Sequence, residues 1–352
     1  MLLYFRGILS YNFLSFQVLC GRISNKREGY PGEDGATVQE GSNHMQTDAR
    51  DRRETCRNEA GSGGEQRKKI GLLVEGGGMK CAYSAGVLDA FLDEGIAFDY
   101  CAGVSAGAAN LVSYLAGQRD RNRRYYCIYV KDPRYLSTRN FIKTGSLFGL
   151  QYIYGDMTNE GGEDPLDFDA LMANPSELVF PATDAVTGKP RYFTKQDLRR
   201  NHYEPIMASC ALPVMCRPVE INGRYYFDGG VSDSLPVKKM IKDGCTKIVA
   251  LFSKPDGFLM KPQGHRRIYT AALSRRFPNT VEALNHRHEQ YNRSMKRIRR
   301  MEQEGRALTF APSGEIRIKT STRDPAVMQQ LYDNGVRDAR ERMKELKDFL
   351  QK

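Results

Sequence analysis

The chain has 352 residues, enough for one large domain with appendages or for two domains. Hydrophobic residues make up 40% of it, but no apolar run reaches the roughly 18 residues that a transmembrane helix needs. Its eight cysteines include no C-x-x-C pair, which argues against a zinc site and a disulfide framework and favours a reducing, cytoplasmic compartment.

The formal net charge of +11 is concentrated near the end of the chain, where residues 257–352 carry 21 Lys/Arg and 11 Asp/Glu. Such a basic region indicates either peripheral contact with an anionic membrane, here through residues 257–300, or a solvated helix face. The solvated face is the commoner cause of a charge run. No nucleic-acid-binding motif accompanies the basic residues, so we expect no specific nucleic-acid partner.

Residues 1–69 are predicted to be a disordered N-terminal extension, because most of this stretch is polar, glycine-rich and without apolar periodicity. Residues 1–20 make a poor signal peptide, since they have almost no basic segment and no small-x-small cleavage site. Met45 is a candidate for a later start of translation.

Strands and helices alternate directly after this extension. Ile70–Val74 and Phe98–Val104 are predicted as short buried strands, and Met79–Asp93 and Ala106–Ala116 as the helices that follow them. This order predicts a right-handed βαβ crossover in an α/β domain over residues 70–255, with helices on the faces of its sheet. The turns after the two strands fall at their carboxyl ends, where such sheets usually bind ligands.

Later segments extend this organisation. Pro218–Ile221 and Arg224–Phe227 are predicted to form a hairpin, because Asn222-Gly223 between them is a strong hairpin turn. Lys247–Phe252 is another predicted buried strand. Asn279–Gly305 is predicted as a long basic helix.

The last hundred residues differ in character from this α/β region. A second hairpin is predicted from residues 307–311 and 315–319, and a helical end over residues 324–352. We predict that residues 256–352 form a small, basic, mainly helical C-terminal subdomain.

The sequence Gly103-Val-Ser105-Ala-Gly107 lies where a predicted strand runs into a helix. A serine between glycines at such a junction is the pattern of a nucleophile elbow, in which Gly103 and Gly107 let the backbone pass and the serine hydroxyl is exposed. Ser105 is therefore a candidate nucleophile.

The glycine-rich turn upstream offers donors for an oxyanion. Successive residues without side chains let backbone N–H groups converge on one point, so Gly76, Gly77, Gly78 and Met79 are candidate donors, and Lys80 adds a positive charge nearby. The same loop could cradle a phosphate, but it lacks the spacing of nucleotide-binding loops. Nucleotide binding is the weaker interpretation.

The base that would activate the serine is less clear from the residues. Of the five histidines, only His202 falls within the α/β region, in a polar turn where a surface role is the simpler interpretation. Asp228, followed by Gly229 and Gly230, is the best carboxylate candidate. Asp-Gly-Gly is also a common turn, and on this pattern alone a turn is the favoured interpretation.

Taken together, these segments resemble the motifs of the patatin-like phospholipase family, in particular a bacterial subfamily with a C-terminal appendage. The matching segments are Glu75-Gly-Gly-Gly-Met-Lys80, Gly103-Val-Ser-Ala-Gly107, Ala208-Ser-Cys-Ala-Leu-Pro213 and Asp228-Gly-Gly-Val-Ser-Asp-Ser-Leu-Pro-Val237. Glu75 stands where many members have aspartate and Cys81 where many have glycine. We expect no loss of function from Glu75, whereas Cys81 would alter packing in the first helix turn.

The resemblance implies a three-layer α/β sandwich with a mostly parallel sheet and a serine–aspartate dyad without histidine. Ser105 would attack the ester carbonyl, Asp228 would accept its proton, and the N–H groups of Gly77 and Gly78 would hold the oxyanion. The implied activity is that of a lipid acyl hydrolase of the phospholipase A type, acting through an acyl-enzyme with no metal or cofactor. The alternative is a catalytically weak membrane-surface binding or regulatory protein.

Overall fold

The computed structural model of the protein describes residues 69–316 and 318–351. The predicted disordered extension over residues 1–69 lies outside them, except for Lys69, as does the candidate start at Met45. Within the described residues, no helix is both long and apolar enough to cross a bilayer.

A mixed β-sheet forms the centre of the molecule. Its strands are β1 (Lys69–Val74), β2 (Tyr100–Gly103), β3 (Glu177–Asp184), β4 (Pro190–Thr194), β5 (Val219–Ile221), β6 (Arg224–Asp228), β7 (Cys245–Leu251) and β8 (Ala307–Phe310). Their order is β5-β6-β3-β2-β1-β7-β8, with β4 paired to β3. The neighbours from β3 to β8 are parallel, whereas β4, β5 and β6 pair antiparallel. The mostly parallel sheet predicted from the sequence is confirmed.

Helices cover both faces of this sheet. They are α1 (Ala82–Asp93), α2 (Ala106–Leu115), α3 (Arg121–Cys127), α4 (Thr138–Thr144), α5 (Phe168–Ala173), α6 (Glu204–Cys210), α7 (Val237–Lys242), α8 (Arg266–Leu273), α9 (Pro278–Gln303), α10 (Pro325–Glu341) and α11 (Met343–Gln351). Side chains of α7 and α9, such as Met240 and Ile298, pack in one buried cluster with Leu73 and Ile248 of the sheet. Helices α1 and α2 lie on the opposite face, which gives the predicted three-layer arrangement.

One predicted hairpin is confirmed and the other is wrong. β5 and β6 are joined at Asn222 and Gly223, whose φ angles of 51° and 73° match the turn that the Asn-Gly pair favours. β8 instead pairs in parallel with β7, and residues 315, 316, 318 and 319 belong to no strand. Residues after 255 thus contribute the strand β8 to the central sheet. The domain boundary at residue 255 stays a prediction.

The register of the strands brings three loops to one edge of the sheet. Val74 at the end of β1 pairs with Gly103 at the end of β2. β2 pairs with β3 through Ala102 and Val179, and β3 pairs with β6 through Ala182 and Asp228. Ala182, the partner of Asp228, lies three residues beyond Val179, and Ser105 lies three residues beyond Ala102, the partner of Val179. Asp228 and Ser105 are therefore at the same level along the strands.

Helix α10 packs against α1 through two glycines. A Cβ atom at Gly335 would overlap the carbonyl oxygen of Tyr83, and one at Gly86 would overlap the carbonyl oxygen of Tyr332. The Tyr332 hydroxyl donates to Asp89 Oδ2 at 2.8 Å, and the Tyr83 hydroxyl donates to an aspartate of α10 at 2.9 Å. Burial raises the pKa of Asp89 to about 6. The two glycines let the backbones of α1 and α10 come into direct contact.

Substituting Gly335 by alanine should destabilise the protein, because the new methyl group has only main chain of α1 to displace. We expect the free energy of unfolding in urea to fall by about 1–3 kcal/mol. Gly264→Ala is the matched control, since no atom lies within 4 Å of the position that its Cβ would take. Equal stability of the two variants would contradict the close contact of α1 and α10.

Candidate active site

Ser105 occupies a strained turn between β2 and α2. Its φ and ψ angles are 54° and −131°, a conformation that a residue with a side chain rarely adopts. A Cβ at Gly107 would overlap the carbonyl oxygen of Val74 and lie 2.8 Å from that of Glu75. One at Gly103 would lie 2.6 Å from the Cα of Ala108. The two glycines thus permit the close approach of α2 to β1 and β2 that an elbow needs.

The hydroxyl of Ser105 donates to Asp228 Oδ2 at 2.6 Å. Both residues are buried, with 8% of Ser105 and 2% of Asp228 exposed. The other carboxylate oxygen of Asp228 accepts the N–H of Gly230 at 2.7 Å. The backbone of Asp228 is also held, since its N–H donates to Ala211 at 2.8 Å and its carbonyl accepts from Thr183 at 2.8 Å. The carboxylate is therefore fixed in position against the serine.

Burial raises the pKa of Asp228 above its ordinary value. The hydrogen bonds from Ser105 and Gly230 and the positive charge of Arg287 act in the opposite direction. A buried carboxylate with a raised pKa is a stronger proton acceptor than one in water.

Ser209 holds the main chain of the nucleophile. The N–H of Ser105 donates to Ser209 Oγ at 3.0 Å, and that hydroxyl donates to the carbonyl of Pro181 at 2.7 Å. Ser209 lies near the end of α6 and is completely buried. It links the elbow to β3 and helps to fix the strained turn.

The glycine-rich loop lies directly beside Ser105. A Cβ at Gly76 would be 2.9 Å from the Cβ of Ser105. In the part of the chain that the structure describes, the N–H groups of Gly76, Gly77 and Gly78 donate to no protein acceptor. Met79 differs, because its N–H donates to the carbonyl of Thr320 at 3.1 Å. That bond argues against the place predicted for Met79 in an oxyanion hole.

Glu75 anchors the glycine-rich loop to the segment that follows β7. It is 1% exposed, pairs with Lys254, and accepts the N–H of Ser253 at 2.8 Å. The ammonium group of Lys254 lies 4.9 Å from the centre of the Tyr291 ring. Burial and the charge of Lys254 lower the pKa of Lys80, and neither Ser105 nor Asp228 is among the groups that shift it.

His202 lies apart from this group of residues. Its side chain is 68% exposed and its Nδ1 is 3.4 Å from Glu204. The surface role that the sequence favours for His202 agrees with this position. Across residues 69–316 and 318–351, no group of three or more His, Cys, Asp or Glu side chains is arranged to hold a metal ion.

Two contributors were not found from the sequence as parts of the site. From the sequence, Ser209 is one residue of a family motif with no role of its own, and Arg287 is one of many basic residues in a predicted helix. Helical spacing is the signal that could have found Arg287, because it lies three residues after Leu284 and four before Tyr291, which are both buried. The exposed Arg293 has only polar residues at those spacings.

Comparison with known proteins identifies two regions of the chain. Residues 72–241 match the family model described as patatin-like phospholipase. These residues belong to the patatin-like phospholipase family. Residues 277–351 of this patatin-like protein match a second model, described as a domain of unknown function, DUF6363.

Several curated proteins are similar to this patatin-like chain. YjjU of Escherichia coli (strain K12), named an uncharacterized protein, is 30% identical over 210 residues, which cover 58% of this chain and 57% of YjjU. Lysophospholipase NTE1 of Yarrowia lipolytica is 25% identical over 211 residues, 52% of this chain and 12% of that protein. Each match thus spans little more than half of its relative, or less. Among solved structures, VipD of Legionella pneumophila has a TM-score of 0.41 and 13% identity, covering 81% of this chain and 67% of VipD.

Proposed function

We propose that the protein is a lipid acyl hydrolase that cleaves carboxylic esters with a dyad of Ser105 and Asp228. The observation that carries the proposal is the 2.6 Å hydrogen bond from Ser105 Oγ to Asp228 Oδ2 within a buried, otherwise satisfied carboxylate site. Membership of a phospholipase family and the name of the NTE1 relative, a lysophospholipase, support a lipid ester as substrate. The expected class is phospholipase A.

In the first half of the reaction, Ser105 Oγ attacks the acyl carbonyl carbon while Asp228 accepts the hydroxyl proton. The negative charge then sits on the carbonyl oxygen, which the N–H groups of Gly77 and Gly78 would hold, with Gly76 beside them. When the intermediate collapses, the C–O bond to the leaving alcohol breaks and Asp228 returns the proton to that oxygen. The product is an acyl ester on Ser105.

In the second half, Asp228 takes a proton from a water molecule as the water oxygen attacks the acyl carbon. The bond between the acyl carbon and Ser105 Oγ breaks, and the proton passes from Asp228 to the serine. A free fatty acid leaves. The dyad returns to its starting state without any other proton donor.

The test is an activity profile with a covalent label. The protein is assayed on diacyl phospholipids, lysophospholipids and short p-nitrophenyl esters, and separately reacted with a fluorophosphonate. We expect ester cleavage and one phosphonate adduct on the peptide that contains Ser105. Ser105→Ala should show neither. Cleavage by Ser105→Ala at the wild-type rate would overturn the assignment of the nucleophile.

A membrane-surface role is the second candidate, and the basic region 257–300 favours it. Leu259 is 69% exposed there, and Lys261, Arg266 and Arg267 nearby are also exposed. An exposed apolar residue among cations suits an anionic bilayer surface. Binding of Ser105→Ala to anionic but not to neutral vesicles would support peripheral contact. If the wild-type protein also binds but cleaves no lipid, the binding role replaces the hydrolase.

A further inference from the structure

Arg287 reaches the active site from outside the family domain. It lies on α9, within residues 277–351, the region that matches a domain of unknown function. Its Nε donates to the carbonyl oxygen of Gly230 at 2.5 Å and is 3.4 Å from Ser234 Oγ. Unlike its neighbours on the outer face of α9, Arg287 therefore points inward, at the loop that follows Asp228.

Gly230 connects this arginine to the candidate base. While its carbonyl accepts from Arg287, its N–H donates to Asp228 Oδ1 at 2.7 Å. A Cβ at Gly230 would lie 3.0 Å from Asp228 Oδ1 and 3.4 Å from Arg287 Nη2. The carboxylate and the guanidinium thus flank the same glycine, a few ångströms apart. This arrangement both fixes the loop and places a permanent positive charge beside the carboxylate.

The same face of α9 also reaches the start of the glycine-rich loop, through Lys254. Tyr291 is one helical turn beyond Arg287 and is 1% exposed. Its ring centre lies 4.9 Å from the ammonium group of Lys254, which pairs with Glu75, the residue before Gly76. One helix therefore packs against the supports of both loops, the one that carries the proposed base and the one that carries the proposed oxyanion donors.

We propose that Arg287 is a positioning residue for Asp228, so that the C-terminal region completes the active site of the patatin-like domain. The proposal rests on the function proposed above, in which Asp228 is the base. It assigns a role to a region whose family model has none, and it predicts that the charge of residue 287 sets the pH range of the enzyme.

The surroundings of Asp228 make the direction of this effect clear. The charge of Asp228 acts on the thiols of Cys81, Cys210 and Cys216, and burial raises their pKa values, so they are uncharged near neutral pH. Arg287 itself faces Glu75 and Tyr291 besides Asp228. Within the described residues, Arg287 is the cation that lowers the pKa of Asp228. Removing it should raise that pKa and leave less of the carboxylate ionised at a given pH.

The test compares Arg287→Gln with Arg287→Lys on a neutral p-nitrophenyl ester. We expect the acid limb of kcat/KM in Arg287→Gln to move up by about one pH unit, with about a tenfold loss on that limb. Arg287→Lys should restore the position of the limb because it keeps the charge. Arg293→Gln is the control, since Arg293 lies on the same helix with 69% of its side chain exposed. An unchanged acid limb in Arg287→Gln would overturn the proposal, even if kcat fell.

Two further measurements distinguish a failure of the role proposed for Arg287 from a failure of the proposed hydrolase function. The carboxyl pKa of Asp228 can be followed by NMR in protein labelled with ¹³C-aspartate, its signal being assigned by its loss in Asp228→Asn. This titration tests Arg287 even if the wild-type protein cleaves no ester, which would count only against the proposed function. If Arg287→Gln instead raises KM for phospholipids alone and leaves the titration unchanged, Arg287 binds a headgroup and the positioning role is wrong.

Discussion

Replacing Asp228 by asparagine should lower kcat for ester hydrolysis by about 10²–10⁴-fold, the usual contribution of a general base. The orientation of the new amide follows from the contacts of the present carboxylate. Its oxygen should stay on the N–H of Gly230, which places the NH₂ group against Ser105 Oγ. An amide NH₂ group donates hydrogen bonds and cannot accept the serine proton. The variant therefore keeps the shape of the site without its base.

The same substitution should not destabilise the protein. Burial raises the pKa of Asp228 from 3.8, so the folded state loses stability as the pH rises past that value and the buried carboxyl must ionise. Asparagine has no such ionisation. We expect the melting temperature of Asp228→Asn to match the wild type at low pH and to equal or exceed it at pH 8. A lower melting temperature at pH 8 would show that the ionised carboxylate stabilises the fold.

Two controls make the loss of activity interpretable. Asp233→Asn changes another buried carboxyl of the same segment, one that accepts from Tyr192 at 2.6 Å, and should reduce kcat only a few-fold. The double variant of Ser105→Ala and Asp228→Asn should be no slower than Ser105→Ala, because residues that act as a unit are not additive. Additive losses would count against a dyad.

The substitution Gly107→Ala should lower both the activity and the stability of the protein. Its methyl group would overlap the main chain at the end of β1, at the carbonyl oxygens of Val74 and Glu75. Because both obstacles are backbone, α2 must move away from β1, and Ser105 must move with it. We expect a loss of about 1–3 kcal/mol in the free energy of unfolding. A shift of the nucleophile by about 1 Å from the glycine-rich loop costs about 100-fold in rate.

The measurements are urea unfolding and kcat on a p-nitrophenyl ester, with Gly264→Ala again as the control. Labelling by a fluorophosphonate adds a third readout, since it needs the serine and the oxyanion donors but no second step. Wild-type activity in Gly107→Ala would mean that α2 does not approach β1 as closely as the structure places it.

The features that could be predicted from the sequence are those whose cause lies in neighbouring residues of the chain. Ser105 stands between two glycines because the elbow demands it, and Asn222-Gly223 forms the turn that such a pair favours. Asp228 was ambiguous among turn residues, and the family resemblance decided it. In each of these cases, the residues that cause the structure are adjacent in the chain.

The missed features depend on contacts between distant segments. An apolar run such as residues 307–310 forms a strand in either a hairpin or a parallel pair, and only the position of β7 selects the pair. The N–H of Met79 is occupied by Thr320, far along the chain. The spacing of Leu284 and Tyr291 places Arg287 on the buried face of α9, but only the packing of that helix brings it to Gly230.

The order of strands in the sheet has a consequence for how the protein folds during synthesis. β1 lies between β2, made soon after it, and β7, made about half a chain later. Helix α1 is covered by α10, which is synthesised still later, from residue 325 onwards. One edge of β1 therefore stays unpaired until β7 emerges from the ribosome, and the apolar surface of α1 stays open until the C-terminal region emerges. Folding with such distant partners is slow and exposed to aggregation, so we expect a chaperone requirement that ends only when α10 has docked.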